Sequence, residues 1–461
     1  MKRKYIELFQ NIGIFTLANF AAKIMSFLIL PLYTYYLTTA EYGTIDLVNT
    51  TIQLVFPILS LSIVDAVMRF GISEEDSKDK IFTTGLNVIV IGMMPLTIIC
   101  LICILTFDKS YISLFFALIY LVQALNNLFA SFAKAINKTA QMAVISTITS
   151  LSILTLNVVF IAFLHYGILG YWVSTILGNC IGILLYIVMC QLYKYFTFGF
   201  RLVDKKLLGQ MLKYSIPLIP NALFWWINTS LDRWVLTAMT SISIVGLYSV
   251  ANKLPTILST VNSIFNQAWN LSMFQSNDKE ERNSFFSKVY VYYDELMFLL
   301  TLLIIVFSPI IAKIMFSKDF ASAWIYVPVL TLGVYYNSLN GFIGSLFTAA
   351  KDTKYIFTST LIGSLVNLLL NIPFVFLWGA LGSAAATFLS YFFVYIVRVK
   401  KVEYMYSIYI SKTDSRYKLL VLILVTVLVT INAFWLLTIM IVIGCSIITV
   451  IKLKKGLNQG R

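Results

Sequence analysis

Residues 81–107 read IFTTGLNVIVIGMMPLTIICLICILTF, a run without a charged side chain. About 20 apolar residues in a helix cross a ~30 Å hydrocarbon core, so this stretch by itself predicts a membrane span. In lipid every backbone N–H and C=O needs an internal partner, which a helix supplies within one segment. The same reading extends outward to both ends of the chain. It predicts about fourteen spans, near residues 12–37, 45–70, 81–107, 110–133, 141–164, 168–192, 212–239, 244–274, 285–316, 321–350, 355–378, 380–397, 417–431 and 433–451. The expected fold is therefore an all-α polytopic membrane protein. The composition of the 461 residues agrees, at 59% hydrophobic, 12% charged and a mean hydropathy of +0.87.

A net charge of +14 invites a nucleic-acid reading, but its distribution is topological. With the N-terminus taken as cytoplasmic, the inner loops hold Lys2, Arg3, Lys4, Lys134, Lys138, Lys194, Arg201, Lys205, Lys206, Lys351, Lys354, Arg398, Lys400, Lys401, Lys412, Arg416 and Lys418, among others. The outer loops hold Lys109, Lys313 and Lys318. This asymmetry places both termini in the cytoplasm, and hence an even number of spans. The first span is too long for a signal-peptide core and lacks a small-residue cleavage site, so it is expected to stay as a helix. All five cysteines (Cys100, Cys103, Cys180, Cys190 and Cys445) fall in apolar runs. Cys100 and Cys103 have C-x-x-C spacing but no second pair, which favours packed or lipid-facing thiols. His165, the single histidine, reads as an outer surface residue, so zinc or histidine chemistry is not expected.

The chain also repeats itself. Asn137-Lys138-Thr139 follows the fourth span and Lys351-Asp352-Thr353 the tenth. The same interval separates Thr139 from Asn157 and Thr353 from Asn371, and the turns Gly167-Ile-Leu-Gly170 and Gly379-Ala-Leu-Gly382 follow. A weaker echo pairs Glu41-Tyr42-Gly43 with Ile244-Val245-Gly246. Two six-helix lobes in parallel pseudo-repeat are a common transporter plan. The expected domains are residues 1–200, 201–401 and a C-terminal helix pair with its tail at 402–461, with a basic linker near 193–213.

Ionisable groups inside spans cost at least ~2.5–3.5 kcal/mol at the bilayer centre, so they mark cavities or pathways. Lys23, Arg69, Arg233 and Lys253 qualify. Lys23 lies ~16 Å into the first helix, on a polar face with Thr16, Asn19 and Ser26. Arg69 follows Asp65 at the i, i+4 spacing that favours an intrahelical pair. Asp232 and Arg233 point about 100° apart and are not expected simply to neutralise each other. Asn262, Asn266, Gln267 and Asn270 continue a polar stripe from Lys253, explained equally by interhelical hydrogen bonds. Buried cations suit an anionic phosphate or pyrophosphate. Asp46, Asp65, Asp232, Asp294 and Glu295 are candidate ion-coupling carboxylates. For Asp46, Asp294 and Glu295 a hydrated position at a membrane edge is the simpler reading. Tyrosines 33, 35, 36, 290, 292, 293, 335 and 336 could stack sugars, although interface belts are their ordinary role. There is no G-x-x-x-x-G-K-[ST] motif and no long outer loop for a catalytic domain, so no cofactor and no enzymatic activity are expected.

The opening region Asn11–Arg69 has an early polar-faced helix, Leu30-Pro31-Leu32, the outer turn Tyr36-Leu37-Thr38-Thr39-Ala40-Glu41-Tyr42-Gly43, and an arginine closing the second helix at Arg69. In these features the chain resembles the bacterial polysaccharide-transporter (Wzx-type) flippases of the multidrug/oligosaccharidyl-lipid/polysaccharide (MOP) exporter superfamily. The resemblance implies that an undecaprenyl-pyrophosphate-linked oligosaccharide, an O-antigen, capsule or similar unit, moves across the inner membrane by alternating access through a cationic lumen. It also implies coupling to an H+ or Na+ gradient and association with a polysaccharide polymerase. The lumen carries over to Lys23, Arg233 and Lys253, with Arg69 and Asn19 beside them. A multidrug antiporter and a peptidoglycan-precursor flippase of the same superfamily are the alternatives.

Overall fold

The computed structural model describes residues 27 and 29–459, apart from 73–76, 107–109, 197–203, 276–278, 351, 407, 409 and 432–434. Among the described residues every regular element is helical. The chain forms two compact units, Met1–Leu37 with Thr44–Trp226, and Thr38–Gly43 with Ile227–Arg461.

The first unit begins with α1 (Leu30–Tyr36), α2 (Thr39–Leu59, its first turns counted with the second unit) and α3 (Ile63–Ile72). The second predicted span is thus broken, with a 58° bend between α2 and α3. The break lies three residues beyond Pro57, at Ser60-Leu61-Ser62. Leu61 and Ser62 then take φ of 50° and 49°, and Ser62 N–H donates to the Pro57 carbonyl at 3.1 Å.

Next come α4 (Lys78–Thr106), α5 (Ser110–Ala135), α6 (Thr139–Asn157) continuing into a π-helix (Val158–Phe163), and α7 (Gly167–Met189). These four spans are each long and apolar enough to cross a bilayer. On α4, Ile98, Ile99, Leu101, Ile102 and Leu105 stay exposed, as a lipid-facing surface should. The core of the unit lies behind them, around Phe82, Tyr120, Phe132 and Trp172. The basic linker is partly helical. In α8 (Lys205–Ser215), Asp204 caps by accepting from the Lys206 and Leu207 N–H groups, and Leu207 and Met211 are buried against the unit's core.

The second unit contains most of α9 (Ile219–Met239), α10 (Ile242–Ala251), α11 (Thr256–Gln275), α12 (Lys279–Met315), a 3₁₀ segment (Lys318–Tyr326) and α13 (Val327–Ala349). It ends with α14 (Thr353–Tyr406), α15 (Lys412–Thr430) and α16 (Trp435–Gln459). The eighth predicted span is not continuous. It breaks between α10 and α11 because Pro255 obstructs the carbonyl of Ala251, the last residue of α10. Conversely, α14 is two spans. Its limbs fold back on each other, with Asn367 Nδ2 on Thr387 Oγ1 at 3.2 Å and Ser390 Oγ on the Gly363 carbonyl at 2.8 Å.

The internal repeat is visible in backbone detail. The Lys138 N–H reaches the Ala133 carbonyl at 2.8 Å, and at the matching position the Asp352 N–H reaches the Phe347 carbonyl at 2.9 Å. Both close the preceding helix with the long-range bond of a Schellman-type cap. The two turns share a left-handed glycine, with φ of 53° at Gly167 and 57° at Gly379. The first repeat is longer between its asparagine and this glycine, and the π-helix lies in that stretch. A Cβ on Gly379 would meet nothing within 4 Å, so only backbone strain opposes a side chain there. Gly379→Ala is expected to cost about 1–2 kcal/mol in an unfolding titration.

Candidate functional site

The polar stripe expected on the first helix, including Asn19 and Lys23, lies outside the described residues. Among the described residues, three groups of charge stand out in the second unit.

Asp232 and Arg233 form the first, on α9. Adjacent positions on a helix diverge, but the arginine chain folds back. Its Nη1 is 2.8 Å from Asp232 Oδ1 and 2.5 Å from the Thr229 carbonyl. The Tyr248 hydroxyl on α10 donates to Asp232 Oδ2 at 2.6 Å, and the guanidinium sits 5.6 Å from the Tyr248 ring. The two side chains do pair with each other, contrary to the sequence expectation. Both side chains are nearly buried, at 14% and 8% exposure, and water does not compete for them.

Lys253 forms the second group. It is half-buried in the break between α10 and α11. Interrupted helices leave backbone polar groups available for ligands, and discontinuous helices build binding sites in many transporters. The stripe below it serves packing at Asn262, which accepts from Asn266 Nδ2 at 2.8 Å and from the Tyr293 hydroxyl at 2.5 Å. The side chains of Gln267 and Asn270 are outside the described set.

The third group centres on Lys418. Asp294 and Glu295 on α12 are 4% and 1% exposed, so they are not hydrated edge residues. Lys418 on α15 is not a loop residue either; it is 2% exposed. Its Nζ lies 2.6 Å from Asp294 Oδ2, 3.0 Å from Glu295 Oε1 and 2.9 Å from Asp414 Oδ2. An ammonium has three N–H donors, and each is matched to a carboxylate. The outer oxygens are also engaged. Tyr335 on α13 donates to Asp294 Oδ1 at 2.5 Å, and Thr449 on α16 donates to Glu295 Oε2 at 2.8 Å. The network therefore fastens α15 and α16 to α12 and α13, with each carboxylate oxygen of Asp294 and Glu295 held by a donor. Sequence reading placed Lys418 with the inner-loop cations, because it stands one residue inside the apolar run.

In the first unit, Asp46 is half-buried on α2, one turn from Asn49, whose Nδ2 reaches the Tyr171 hydroxyl at 3.0 Å. Trp226 Nε1 donates to the Thr50 carbonyl at 2.7 Å. Asp65 and Arg69 are both exposed on α3, and no ion pair joins them. Exposed pairs are worth about 0–1 kcal/mol, too little to hold two flexible chains together. Lys138 is committed elsewhere, its Nζ donating to the Cys190 carbonyl at the end of α7 at 2.8 Å.

Tyr290, Tyr293, Tyr335 and Tyr336 are neither interface residues nor exposed stacking platforms, each being at most 5% exposed. Tyr293 stacks on Phe342, and Trp269 packs on the same ring while donating Nε1 to Ser345 Oγ at 2.7 Å. Sequence reading also missed Arg398, which it counted as a loop cation one residue past a span; it is 7% exposed. The five cysteines are free thiols, and no group of three His, Cys, Asp or Glu positioned for a metal occurs among the described residues.

The polysaccharide biosynthesis protein family is matched over residues 8–270, more than half of the chain. No curated protein sequence matches significantly. The fold is shared with solved membrane transporters. An inward-closed lipid II flippase MurJ superposes with a TM-score of 0.73 at 18% identity, covering 96% of this chain and 99% of that one. An inward-facing multidrug resistance MATE family transporter of the MOP superfamily gives 0.64 at 13% identity, covering 85% and 94%. The bent form of the Vibrio cholerae MATE transporter VcmN gives 0.53 at 13% identity, covering 86% and 98%.

Proposed function

Because the chain belongs to the polysaccharide biosynthesis protein family, we propose that it flips an undecaprenyl-pyrophosphate-linked oligosaccharide from the cytoplasmic to the outer leaflet of a bacterial inner membrane. The family match on a multi-pass transporter fold is the observation that carries this reading. The basic loops favour a topology with both termini cytoplasmic.

The diphosphate loses hydration on entering the membrane, and fixed cations replace it. Lys23, Arg233 and Lys253 are assigned to that role, with Asn19 and Arg69 as further contacts. Asp232 and Tyr248 act on Arg233 by fixing its orientation. Asp46 is the half-buried carboxylate assigned to ion coupling in the first unit. In the second unit, Asp294 and Glu295 stand in the Lys418 network. The O-antigen or capsule repeat units, and a polymerase partner, belong to the same reading.

A second reading, a peptidoglycan-precursor flippase, is favoured by the likeness to the lipid II flippase at a TM-score of 0.73. It uses the same diphosphate chemistry, so the accumulating intermediate separates the two. Deletion of the gene is expected to leave a lipid-linked oligosaccharide repeat unit on the cytoplasmic leaflet. Wild type should clear it. Lys23→Ala, Arg233→Ala and Lys253→Ala, at normal membrane levels, should each slow clearance about 10- to 100-fold, the worth of one charge-assisted hydrogen bond. Accumulation of a peptidoglycan precursor selects the second reading. Drug sensitivity without any lipid-linked intermediate selects a multidrug exporter and rejects both.

A further inference from the structure

A basic recess of about 440 Å³ lies in the second unit where the two limbs of α14 meet the end of α13. Arg398, Lys400, Lys401, Tyr355 and Tyr404 line it, and no carboxylate does. We propose that it binds a phosphate group, carried by the headgroup of an anionic phospholipid.

Arg398 is the anchor. It is 7% exposed, and its guanidinium is held by neutral oxygens only. Nε donates to Ser359 Oγ at 2.9 Å, Nη1 to the Asn340 carbonyl at 2.5 Å, and Nη2 to Thr360 Oγ1 at 3.3 Å. Among the described residues no carboxylate pairs with it. A buried charge is costly unless matched by an opposite one, so this orientation favours an anion in the recess. Five N–H donors exceed the three bonds made, and a planar guanidinium fits phosphate in a bidentate manner. Gly344 makes room for the guanidinium, since a Cβ there would come within 3.1 Å of Nη1.

The lysines complete the charge. Lys401 Nζ is held 4.1 Å from the Tyr355 ring and 5.4 Å from the Tyr404 ring, and Lys400 is exposed at the rim. A neighbouring basic recess shares Lys400 but differs: its Lys412 is already paired with Glu403 at 3.1 Å. Tyr404 in the lining is 84% exposed, and Phe357 and Met405, next in sequence to the lining residues Thr358 and Tyr404, are 44% and 42% exposed. An apolar rim next to a phosphate pocket suits a molecule with acyl chains. Basic pockets between membrane helices bind anionic headgroups in this manner.

The test uses the full-length protein in neutral detergent, with native mass spectrometry for bound lipid and a thermal melt for stabilisation. The probes are phosphatidylglycerol, phosphatidylcholine and inorganic phosphate. Phosphatidylglycerol should bind and raise the melting temperature, and phosphatidylcholine should not. Lys400→Gln/Lys401→Gln alters surface chains and should fold normally. It should weaken phosphatidylglycerol at least tenfold, since each basic residue facing an anionic surface contributes about fivefold. Lys412→Gln/Arg416→Gln, at the neighbouring recess, should leave binding unchanged. Equal binding of the two lipids, or equal loss in the two double variants, overturns the site. Stabilisation by inorganic phosphate alone, lost in Lys400→Gln/Lys401→Gln, keeps the phosphate site and overturns the lipid as its carrier.

Discussion

Lys418→Met is expected to destabilise the second unit by about 3–5 kcal/mol, the usual cost of removing one partner from a buried ion pair. The ammonium is the counter-charge shared by Asp294 and Glu295, whose side chains are almost sealed from solvent. Without it, two carboxylates face each other across a few ångströms in a low-dielectric interior. Their repulsion must then be relieved by rearrangement or by water drawn between α12 and α15. Replacing the whole network should be far milder, because neutral groups of similar volume avoid the desolvation cost. The triple variant Asp294→Asn/Glu295→Gln/Lys418→Met is therefore expected to recover most of the loss. Asp414→Asn alone should cost less than about 1 kcal/mol, because Asp414 is 30% exposed and water screens its pairing. Denaturant unfolding in detergent micelles measures all three. A Lys418→Met protein as stable as wild type would show that the network does not hold the C-terminal helix pair.

Gly43→Ala and Gly246→Ala are the next largest expected losses, each about 1–3 kcal/mol from overpacking. The two glycines meet in the second unit. A Cβ on Gly43 would lie 2.1 Å from the Ile242 carbonyl oxygen, and one on Gly246 would lie 1.9 Å from that of Thr39. Both obstacles are backbone, so no rotamer change relieves them, and the two helical segments must move apart. One displacement makes room for both methyl groups. The double variant should therefore cost less than the sum of the single ones, a negative coupling that a double-mutant cycle reads directly. Full additivity would mean that the two glycines do not share one crossing.

The weak echo between Glu41-Tyr42-Gly43 and Ile244-Val245-Gly246 was visible in the sequence, and its physical basis is this mutual contact. The turns at Gly167 and Gly379 were equally legible, because a left-handed backbone selects glycine from its own local geometry. The break before Pro255 had a signal that hydropathy averages away, since an apolar window ignores a missing N–H. The buried aromatic cluster around Phe342 had none, since tyrosine has the same sequence signature in a membrane interface and in a core.

The sequence by itself determined that the chain is an all-helical membrane protein, and where its repeated helix caps and glycine turns fall. Each depends on transfer free energies and turn chemistry that act over a few neighbouring residues. Only the tertiary structure decided which charges are buried and what they meet. Lys418 finds Asp294 from 124 residues away, and Arg398 finds the Asn340 carbonyl from 58. The identity of a charged residue fixes the cost of burying it. Whether a partner offsets that cost depends on which helices become neighbours, and hydropathy along one chain carries no record of that.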